Sequence, residues 1–399
     1  MLPESSPFTP GQPVPIDFFV GRISEVERLR SLVRAATQGR FKIGFVLGER
    51  GIGKSSLVSF VRHLCEGEDM VAGAHIFLGG ATGLEDMIKR TFDRILKDSV
   101  DKSWSDKVSK FFGDRVRKVG LFGASVELNL KTEELSTLAH DFVPSLRQLV
   151  MQLKGERKAM LLILDDINGL ADSSVFANWL KSTVDQIGTQ NVPFHVCVLV
   201  VGLEERRLSL IKLQPSLARV FDITEIRPWS DEETANFYQQ SFQRTAAIQI
   251  NNDALQAMVQ FTGGLPVFAH EIGDAVWRRV QKPPVNLEEA ISGIFDAAEI
   301  IGRKFLEPQI FQAIRSPRYR SILRKLADRS LNPLLQRAEI RKKLTAEENR
   351  VLDNFLNRMK QLGAIVPENE AGVGSYRFAN QLYQLYFQLE SARAKGEKN

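Results

Sequence analysis

The feature that most constrains this chain is a glycine-rich loop between a predicted strand and a predicted helix. Residues 48–55 read G-E-R-G-I-G-K-S, which fits the pattern G-x-x-x-x-G-K-[ST], and they follow the apolar run 42–47. Residues 55–64 carry apolar side chains at helical spacing. A strand, loop and helix of this kind lets consecutive backbone N–H groups converge on phosphate oxygens. The sequence therefore predicts a phosphate-binding P-loop.

The residues of this loop have predicted tasks. Lys54 is predicted to meet the β- and γ-phosphates, and the Ser55 hydroxyl is predicted to take Mg²⁺. The other predicted nucleotide contacts of the loop are Gly48, Glu49, Arg50, Gly51, Ile52, Gly53 and Ser56. ATP and Mg²⁺ are therefore the predicted cofactors. A chance match to the pattern is the alternative, and the flanking strand and helix argue against it.

Length and composition bound the class of protein. The 399 residues, 43% of them hydrophobic, predict a large core and two or three domains. The sequence has neither a run of about 18 uninterrupted apolar residues nor a basic and apolar signal at its start, so no membrane association is expected. Five prolines within residues 1–15 predict an extended leader instead. Two cysteines, with Cys197 in an apolar run, predict reduced thiols and a cytoplasmic location.

Short apolar runs alternate with helical patterns after the P-loop. The helical patterns include residues 135–154 and 175–187. The apolar runs are 74–78, 160–164, 194–201 and 221–226. This alternation predicts an α/β domain with a doubly wound parallel sheet.

The run 160–164 ends in two carboxylates, Asp165 and Asp166. The carboxyl end of a buried parallel strand is where an open sheet presents its ligand site. We therefore interpret this segment as a Walker B motif. Asp165 is predicted to hold Mg²⁺ directly or through water, and Asp166 is predicted to orient or deprotonate the attacking water. A strand that simply enters an aspartate-rich turn is the alternative.

An insertion at about residues 98–131 separates these two motifs. It intersperses basic residues with Trp104, Phe111 and Phe112, and its end, 120–130, has the character of a hairpin. Basic and aromatic residues together are compatible with nucleic-acid stacking. An amphipathic helix packed by its aromatic side chains is the interpretation we favour.

Two further segments carry a resemblance to a known family. Phe19-Val20-Gly21-Arg22 lies before the P-loop, and Phe261-Thr262-Gly263-Gly264-Leu265-Pro266 lies beyond the last predicted strand of the sheet. In this order, from residue 18 to about 280, the chain resembles AAA+ and STAND ATPases, in the prokaryotic branch that also resembles origin-recognition initiators and transposition-helper ATPases. The resemblance implies that Val20, Gly21 and Arg22 lie on the adenine side, and that Pro266 packs near the adenine. Helix punctuation alone is the alternative explanation of the Gly-Gly-Leu-Pro segment.

The resemblance also points to an arginine, and the chain departs from the family pattern in three respects. Arg219, before the last strand, resembles the arginine finger that AAA+ proteins place across a subunit boundary, although an arginine near a helix end has the same appearance. The polar sensor residue expected after residue 201 is replaced by Gly202, and no sensor arginine is evident after Gly264. Asp166 stands where AAA+ hydrolases usually have glutamate. Slow hydrolysis and switch-like behaviour are therefore expected.

The last hundred residues carry the positive charge of the chain. Residues 301–399 contain 19 Lys/Arg against 10 Asp/Glu. Helical patterns at 319–328, 333–344 and 347–362, followed by a predicted strand pair at 363–366 and 376–378, resemble the winged-helix domains appended to such ATPases. If this domain binds double-stranded DNA, the candidate contacts are Arg341, Lys342, Lys343, Arg350, Arg358 and Arg377. Winged helices that dock a partner protein are the alternative. The apolar stripe 383–389 is predicted to be core.

The predicted organisation has four parts. They are a leader at 1–17, an ATPase domain at 18–228, a helical lid at 229–300 and a winged-helix domain at 301–399. The predicted function is an ATP-binding, slowly hydrolysing switch that couples nucleotide state to homo-oligomer assembly and DNA association. A signalling ATPase with a docked partner protein and a nucleotide-binding scaffold with little hydrolysis are the alternatives.

Overall fold

The chain folds into two compact units, which are described separately. A computed structural model describes residues 5–98, 116–119, 125–128, 131–153, 155–190, 192–328, 334–368 and 374–396, with the single residues 110, 113, 331 and 372. One unit comprises residues 13–227, and the other comprises residues 1–12 with 228–399. The division of the second unit into a lid and a separate C-terminal domain stays a prediction.

The unit 13–227 is built on a parallel sheet. Its strands are β1 Lys42–Leu47, β2 Val71–Phe77, β3 Val116–Val119, β4 Ser125–Leu128, β5 Ala159–Asp165, β6 Val196–Gly202 and β7 Asp222–Glu225. Among the described residues, five of them form a parallel sheet in the order β2-β5-β6-β1-β7, and β3 pairs with β4 as an antiparallel hairpin. Every residue of β5 and β6 is buried, because helices cover both faces of the sheet. The predicted doubly wound α/β fold is confirmed.

The helices of this unit follow the predicted alternation with one exception. Their bounds are α1 Ile23–Thr37, α2 Lys54–Glu68, α3 Leu84–Lys97, α4 Thr132–His140, α5 Phe142–Gln152, α6 Ser174–Thr189 and α7 Glu204–Leu213. The single helical pattern expected at 135–154 is two helices that meet at Asp141. Pro144 explains the break, because a proline without an N–H is tolerated in the first turn of a new helix and not inside a continuous one.

The insertion is described in part. A hairpin was expected at the end of the insertion, at 120–130. The observed hairpin begins earlier, at β3, and its second strand, β4, lies within that range. The predicted amphipathic helix with Trp104, Phe111 and Phe112 lies outside the described residues.

Two expectations from composition concern the thiols and the membrane. Cys65 and Cys197 are both free and buried, and burial raises the pKa of the Cys65 thiol to about 12. In the part of the chain that the structure describes, no helix has the length and apolar character needed to cross a membrane.

The second unit is mainly helical. Its helices are α8 Asp231–Ala246, α9 Asn252–Thr262, α10 Pro266–Arg279, α11 Leu287–Ile301, a π-helix at Gly302–Phe311, α12 Pro317–Ala327, α13 Arg337–Lys342, α14 Ala346–Gln361 and α15 Gln381–Gly396. Its strands are β8 Leu335–Gln336, β9 Ile365–Pro367 and β10 Ser375–Phe378. Capping boxes begin α8 at Ser230, α11 at Asn286 and α14 at Thr345. In each box the side chain and backbone of the cap exchange hydrogen bonds with a glutamate three residues on, which fixes where the helix starts.

The Gly-Gly-Leu-Pro segment forms a tight corner between α9 and α10. Both glycines have left-handed backbones, and a Cβ on Gly264 would lie 2.3 Å from the carbonyl oxygen of Trp229. A Cβ on Gly263 would lie 2.6 Å from Nδ2 of Asn380, the residue before α15. The glycines are therefore required by close contacts on both sides, in addition to ending a helix.

We call residues 301–399 the C-terminal part. From α12 to β10 its elements follow the order helix, strand, helix, helix, strand, strand. β8, β10 and β9 form a three-stranded antiparallel sheet beside α12, α13 and α14. The helix expected at 333–344 is wrong in its first part, because Leu335 is fully buried and pairs with Tyr376 in the sheet. Long-range pairing overrides the local helical pattern there. Tyr386 and Phe387 of α15 are buried in the core of this part, as predicted for the stripe 383–389.

The N-terminal segment is packed into the helical unit. Phe8 is 4% exposed, and its ring centroid lies 5.8 Å from that of Phe237 and 5.3 Å from that of Phe242. The N–H of Thr9 donates to Nδ1 of His270 at 3.2 Å. Burial lowers the pKa of His270 to about 4, so this ring is neutral and can accept at neutral pH. The leader expected from the prolines therefore contains a core residue.

We expect Phe8→Ala to lower the free energy of unfolding by about 3 kcal/mol, because it leaves a cavity among aromatic rings. Chemical denaturation followed by tryptophan fluorescence measures this. Phe295→Ala is the matched control, since Phe295 is 42% exposed on α11 and its loss should cost less than about 1 kcal/mol. Equal losses in the two variants would contradict the packing role of the N-terminal segment.

Candidate nucleotide-binding site

The P-loop lies between the inner strand β1, which pairs with β6 and β7, and helix α2. Gly48 follows β1 so closely beside Ile226 that an added Cβ would lie 2.8 Å from the Ile226 carbonyl oxygen. Gly53 precedes α2 with φ of 91°, a left-handed conformation that favours glycine. The loop therefore delivers its backbone to the N-terminus of a 15-residue helix, where unpaired N–H groups and the helix dipole favour an anion.

Lys54 closes the loop on itself. Its Nζ donates to the carbonyl oxygen of Gly48 at 2.8 Å and to that of Glu49 at 2.7 Å. Burial lowers the pKa of Lys54, and the charges of Asp165 and Asp166 act in the opposite direction. The structure thus brings together the lysine and both carboxylates predicted for the site. An incoming phosphate would offer this ammonium a charged acceptor in place of two neutral carbonyls.

The two carboxylates at the end of β5 differ in environment. Asp165 is 2% exposed, and its Oδ2 lies 2.8 Å from Nε2 of His75. Asp166 is exposed and has a left-handed backbone with φ of 60°. Its Oδ1 accepts a hydrogen bond from Nδ2 of Asn168. A fixed, buried carboxylate beside an exposed one suits the division of tasks predicted for them, with one on the metal and one on water.

The possible metal ligands of this site, Ser55 and Asp165, suit a metal ion that is also bound by phosphate oxygens of the nucleotide. Among the described residues, no group of three or more His, Cys, Asp and Glu side chains forms a metal cage. Mg²⁺ binds through one or two protein ligands together with phosphate oxygens and water in such sites. One hydroxyl, from Ser55, and one carboxylate, from Asp165, are therefore sufficient protein ligands.

Arg22 belongs to the segment before α1 and is held by backbone carbonyls. It is 5% exposed and has a left-handed backbone with φ of 61°. Its guanidinium donates to the carbonyl oxygens of Arg227 and, at 3.4 Å, of Ile52 in the P-loop. Arg22 thus ties the P-loop to the end of this unit. The adenine-side role of Val20, Gly21 and Arg22 stays a prediction.

Ser56 also has a local partner. Its hydroxyl accepts a hydrogen bond from the N–H of Val14 at 3.3 Å. This contact anchors the chain before α1 on the P-loop helix. The nucleotide contacts predicted for Ser56, and for the neighbouring exposed Glu49 and Arg50, stay predictions.

The remaining positions singled out in the sequence come after Asp166 along the chain. Arg219 is the exposed last residue of a short 3₁₀ helix, Pro215–Arg219, and it makes no ion pair or hydrogen bond with the described part of the chain. Pro266 is the first residue of α10, in the other unit. Gly202 ends β6 where a polar residue was expected, and an added Cβ would lie 3.2 Å from Cγ1 of Ile167.

The basic candidates of the C-terminal part divide into paired and unpaired side chains. Lys343, Arg350 and Arg358 are exposed and make no ion pair within the described residues. The paired ones are Arg341 with Asp353 at 3.9 Å, Lys342 with Glu339 at 3.7 Å and Arg377 with Glu368 at 2.8 Å.

Sequence reasoning missed two positions, in β2 and just after it, that lie close to the carboxylates. His75 contacts Asp165, and a Cβ on Gly79 would lie 2.9 Å from Oδ2 of Asp166. A histidine within an otherwise apolar strand was the available signal for His75. Nothing local pointed to its partner, which lies on another strand.

The fold and site define a P-loop ATPase: a parallel sheet with a Gly-x-x-x-x-Gly-Lys-Ser loop after β1 and an aspartate pair at the end of β5. Residues 19–199 match the AAA ATPase domain family. This match, over just under half of the chain, agrees with the family resemblance that the sequence motifs carry. No curated protein matches this chain.

Solved structures extend the likeness in fold to most of the chain. A Walker-type ATPase of Pyrococcus abyssi is 17% identical with a TM-score of 0.55, and the match covers 93% of this chain and 96% of that one. The ORC2 protein of Aeropyrum pernix, solved in ADPNP-ADP complexes, is 14% identical with a TM-score of 0.58, and the match covers 95% of this chain and 96% of that one. The fold therefore resembles that of archaeal origin-recognition proteins, as expected from the sequence.

Proposed function

We propose that this protein is a switch that binds ATP, hydrolyses it slowly and couples its nucleotide state to assembly and DNA association. The observation that carries the proposal is the position of Lys54, inside a glycine-lined loop and under the influence of both Asp165 and Asp166. A lysine there meets phosphate, and the paired carboxylates supply a metal ligand and a group that acts on water. Slow hydrolysis is supported by Gly202 at the sensor position and by aspartate at residue 166.

Mg²⁺ is the metal that this set of oxygen ligands favours. Ser55 and Asp165 would hold it, and when bound it neutralises charge on the phosphates. The Ser55 hydroxyl makes no hydrogen bond within the described residues, so it is available as a ligand. Oδ2 of Asp165 lies 2.8 Å from Nε2 of His75.

We infer that the C-terminal part is a winged helix. The order of its helices and strands and its three-stranded antiparallel sheet support this assignment. Helix α14 would then enter the major groove of DNA. Leu352, Phe355 and Met359 are buried on one side of α14, which leaves Arg350 and Arg358 exposed and unpaired within the described residues.

We expect Arg350→Ala to weaken binding to duplex DNA by about 3- to 30-fold and to reduce the dependence of log K on log salt by about one unit if Arg350 contacts a phosphate. Fluorescence anisotropy at several salt concentrations measures both quantities. Lys342→Ala, on the adjacent helix, should weaken binding in the same direction. Arg279→Ala is the control, because Arg279 lies on α10 and pairs with Asp296 at 2.7 Å. Undiminished binding in both C-terminal variants would remove this surface from the proposal.

A docked partner protein is the second candidate output. Asp353, on the exposed side of α14, pairs with Arg337 at 2.6 Å and with Arg341 at 3.9 Å. An acidic residue at this place repels DNA phosphates and is compatible with a protein surface of mixed charge. Stable capture of one protein partner without retention on DNA would favour this alternative.

The whole proposal is tested by size-exclusion chromatography with light scattering, with and without ATP and duplex DNA. ATP should increase the molar mass above that of one chain, and DNA should co-elute. The exposed Arg219 supports such an assembly, because an arginine finger acts on a neighbour's nucleotide. A single-chain mass under every condition would contradict the proposed assembly. The absence of DNA from the protein peak would contradict the proposed DNA association.

A further inference from the structure

The end of β2 lies beside the end of β5, where the two carboxylates Asp165 and Asp166 are found. Phe77 pairs with Asp165 in the parallel register, and His75 pairs with Ile163. Because side chains alternate along a strand, His75, Phe77, Ile163 and Asp165 share one face of the sheet. The edge strand β2 thus lies where it can support the carboxylates of the nucleotide site.

His75 and Asp165 form a buried pair of fixed geometry. Their side chains are 5% and 3% exposed, and Nε2 lies 2.8 Å from Oδ2. An ionised carboxylate only accepts hydrogen bonds, so Nε2 carries the hydrogen and donates. The imidazole also stacks on Phe77, with ring centroids 4.3 Å apart and planes 22° apart. Hydrogen bond and stacking together restrict both side chains to one orientation.

We propose that His75 is a positioning residue that aims Asp165 at the metal of the nucleotide site, an inference that rests on the proposed function. His75 occupies Oδ2, and Oδ1 has no hydrogen-bond partner within the described residues. Oδ1 is therefore the oxygen left for Mg²⁺. A ligating carboxylate needs such support, because a freely rotating side chain loses entropy on binding and delivers the wrong oxygen.

The segment after β2 also runs close to the second carboxylate. A Cβ on Gly79 would lie 2.9 Å from Oδ2 of Asp166, so the chain passes close to this carboxylate. Arg90 of α3 donates to the carbonyl oxygens of Phe77 at 3.4 Å and Gly79 at 3.3 Å. Arg90 thus anchors the backbone of the segment whose His75 contacts Asp165.

The test is His75→Phe, which keeps a ring on Phe77 and removes the donor. Mn²⁺ binding to the complex with ADP, followed by electron paramagnetic resonance, should weaken by about 10- to 100-fold. Binding of a fluorescent ADP analogue without metal should stay within about twofold of the wild type, since the P-loop contacts are unchanged. In an Asp165→Asn background, His75→Phe should weaken Mn²⁺ binding no further. Wild-type Mn²⁺ affinity in the single variant would overturn the proposal.

Two more variants separate positioning from folding. His75→Gln keeps an N–H donor at similar reach, so Mn²⁺ affinity should return to within about threefold of the wild type. If His75→Phe does not fold, this variant carries the test, and a loss as large as that of Asp165→Asn would overturn the proposal. His195→Phe is the control, because His195 immediately precedes the first residue of β6, at the end of that strand away from the P-loop. This variant should bind Mn²⁺ as the wild type does. If the wild type itself binds no nucleotide, the proposed function fails. If the wild type binds nucleotide and Mn²⁺ but His75→Phe and His75→Gln have the same Mn²⁺ affinity, the role of His75 fails.

Discussion

Replacing Lys54 by alanine should weaken ATP binding by at least about 100-fold, or about 2.7 kcal/mol, with the fold intact. The change removes the ammonium that lies 2.8 Å from the Gly48 carbonyl oxygen at the mouth of the loop. Charge-assisted hydrogen bonds to phosphate are the strongest contacts this loop can offer. Stability should not suffer, because burial already lowers the pKa of Lys54 and so disfavours its charge. Titration calorimetry with Mg-ATP and a thermal melt measure the two quantities.

Two further variants make the Lys54 experiment specific. Lys42→Ala removes a lysine at the start of β1, the strand before the P-loop, where it pairs with Asp222 at 3.3 Å, and should leave ATP affinity unchanged. Lys54→Arg keeps the charge but replaces a compact ammonium by a planar fork, so it should recover little of the affinity. If Lys54→Ala binds ATP as the wild type does, the nucleotide site is elsewhere or absent.

The parts of the site that the sequence predicts are those in which a local pattern determines the geometry. Glycines at 48, 51 and 53 determine a turn, and an apolar strand that ends at Asp165 determines where its carboxylate lies in a parallel sheet. The fold class follows from the same alternation of apolar runs and helices, and the AAA ATPase match over residues 19–199 agrees with it.

Contacts between distant segments could not be predicted in this way. His75 and Asp165 are 90 residues apart, and Thr9 and His270 are 261 apart, so no spacing rule connects them. Phe8 looked like part of a proline-rich leader because its aromatic partners Phe237 and Phe242 lie far along the chain, on α8. Leu335 was assigned to a helix because its pairing with Tyr376 is visible only in the folded sheet. Only the break at Asp141 had a local signal, Pro144.

Asp166→Asn should slow ATP hydrolysis by about 100- to 10,000-fold, the range expected when a group that accepts a proton from water is removed. ATP affinity should stay within about threefold, since Asp166 lies at the exposed end of β5 and the phosphate ligands are in the P-loop. Asparagine is the sharper substitution than alanine, because Asp166 has a φ of 60°. Asparagine tolerates this left-handed backbone, whereas alanine adds about 1 kcal/mol of strain and confuses stability with catalysis.

Single-turnover phosphate release at saturating Mg-ATP measures the chemical step, and binding calorimetry on the same samples measures affinity. Asp185→Asn is the matched control, because Asp185 is an exposed aspartate on α6 that pairs with Lys181 and should affect neither quantity. Unchanged hydrolysis in Asp166→Asn would exclude Asp166 from activating water. A loss of affinity as large as the loss of rate would assign it a part in building the site instead. Loss of rate alone leaves a chain that binds ATP without resetting, and the assembled form should then persist after ATP is added.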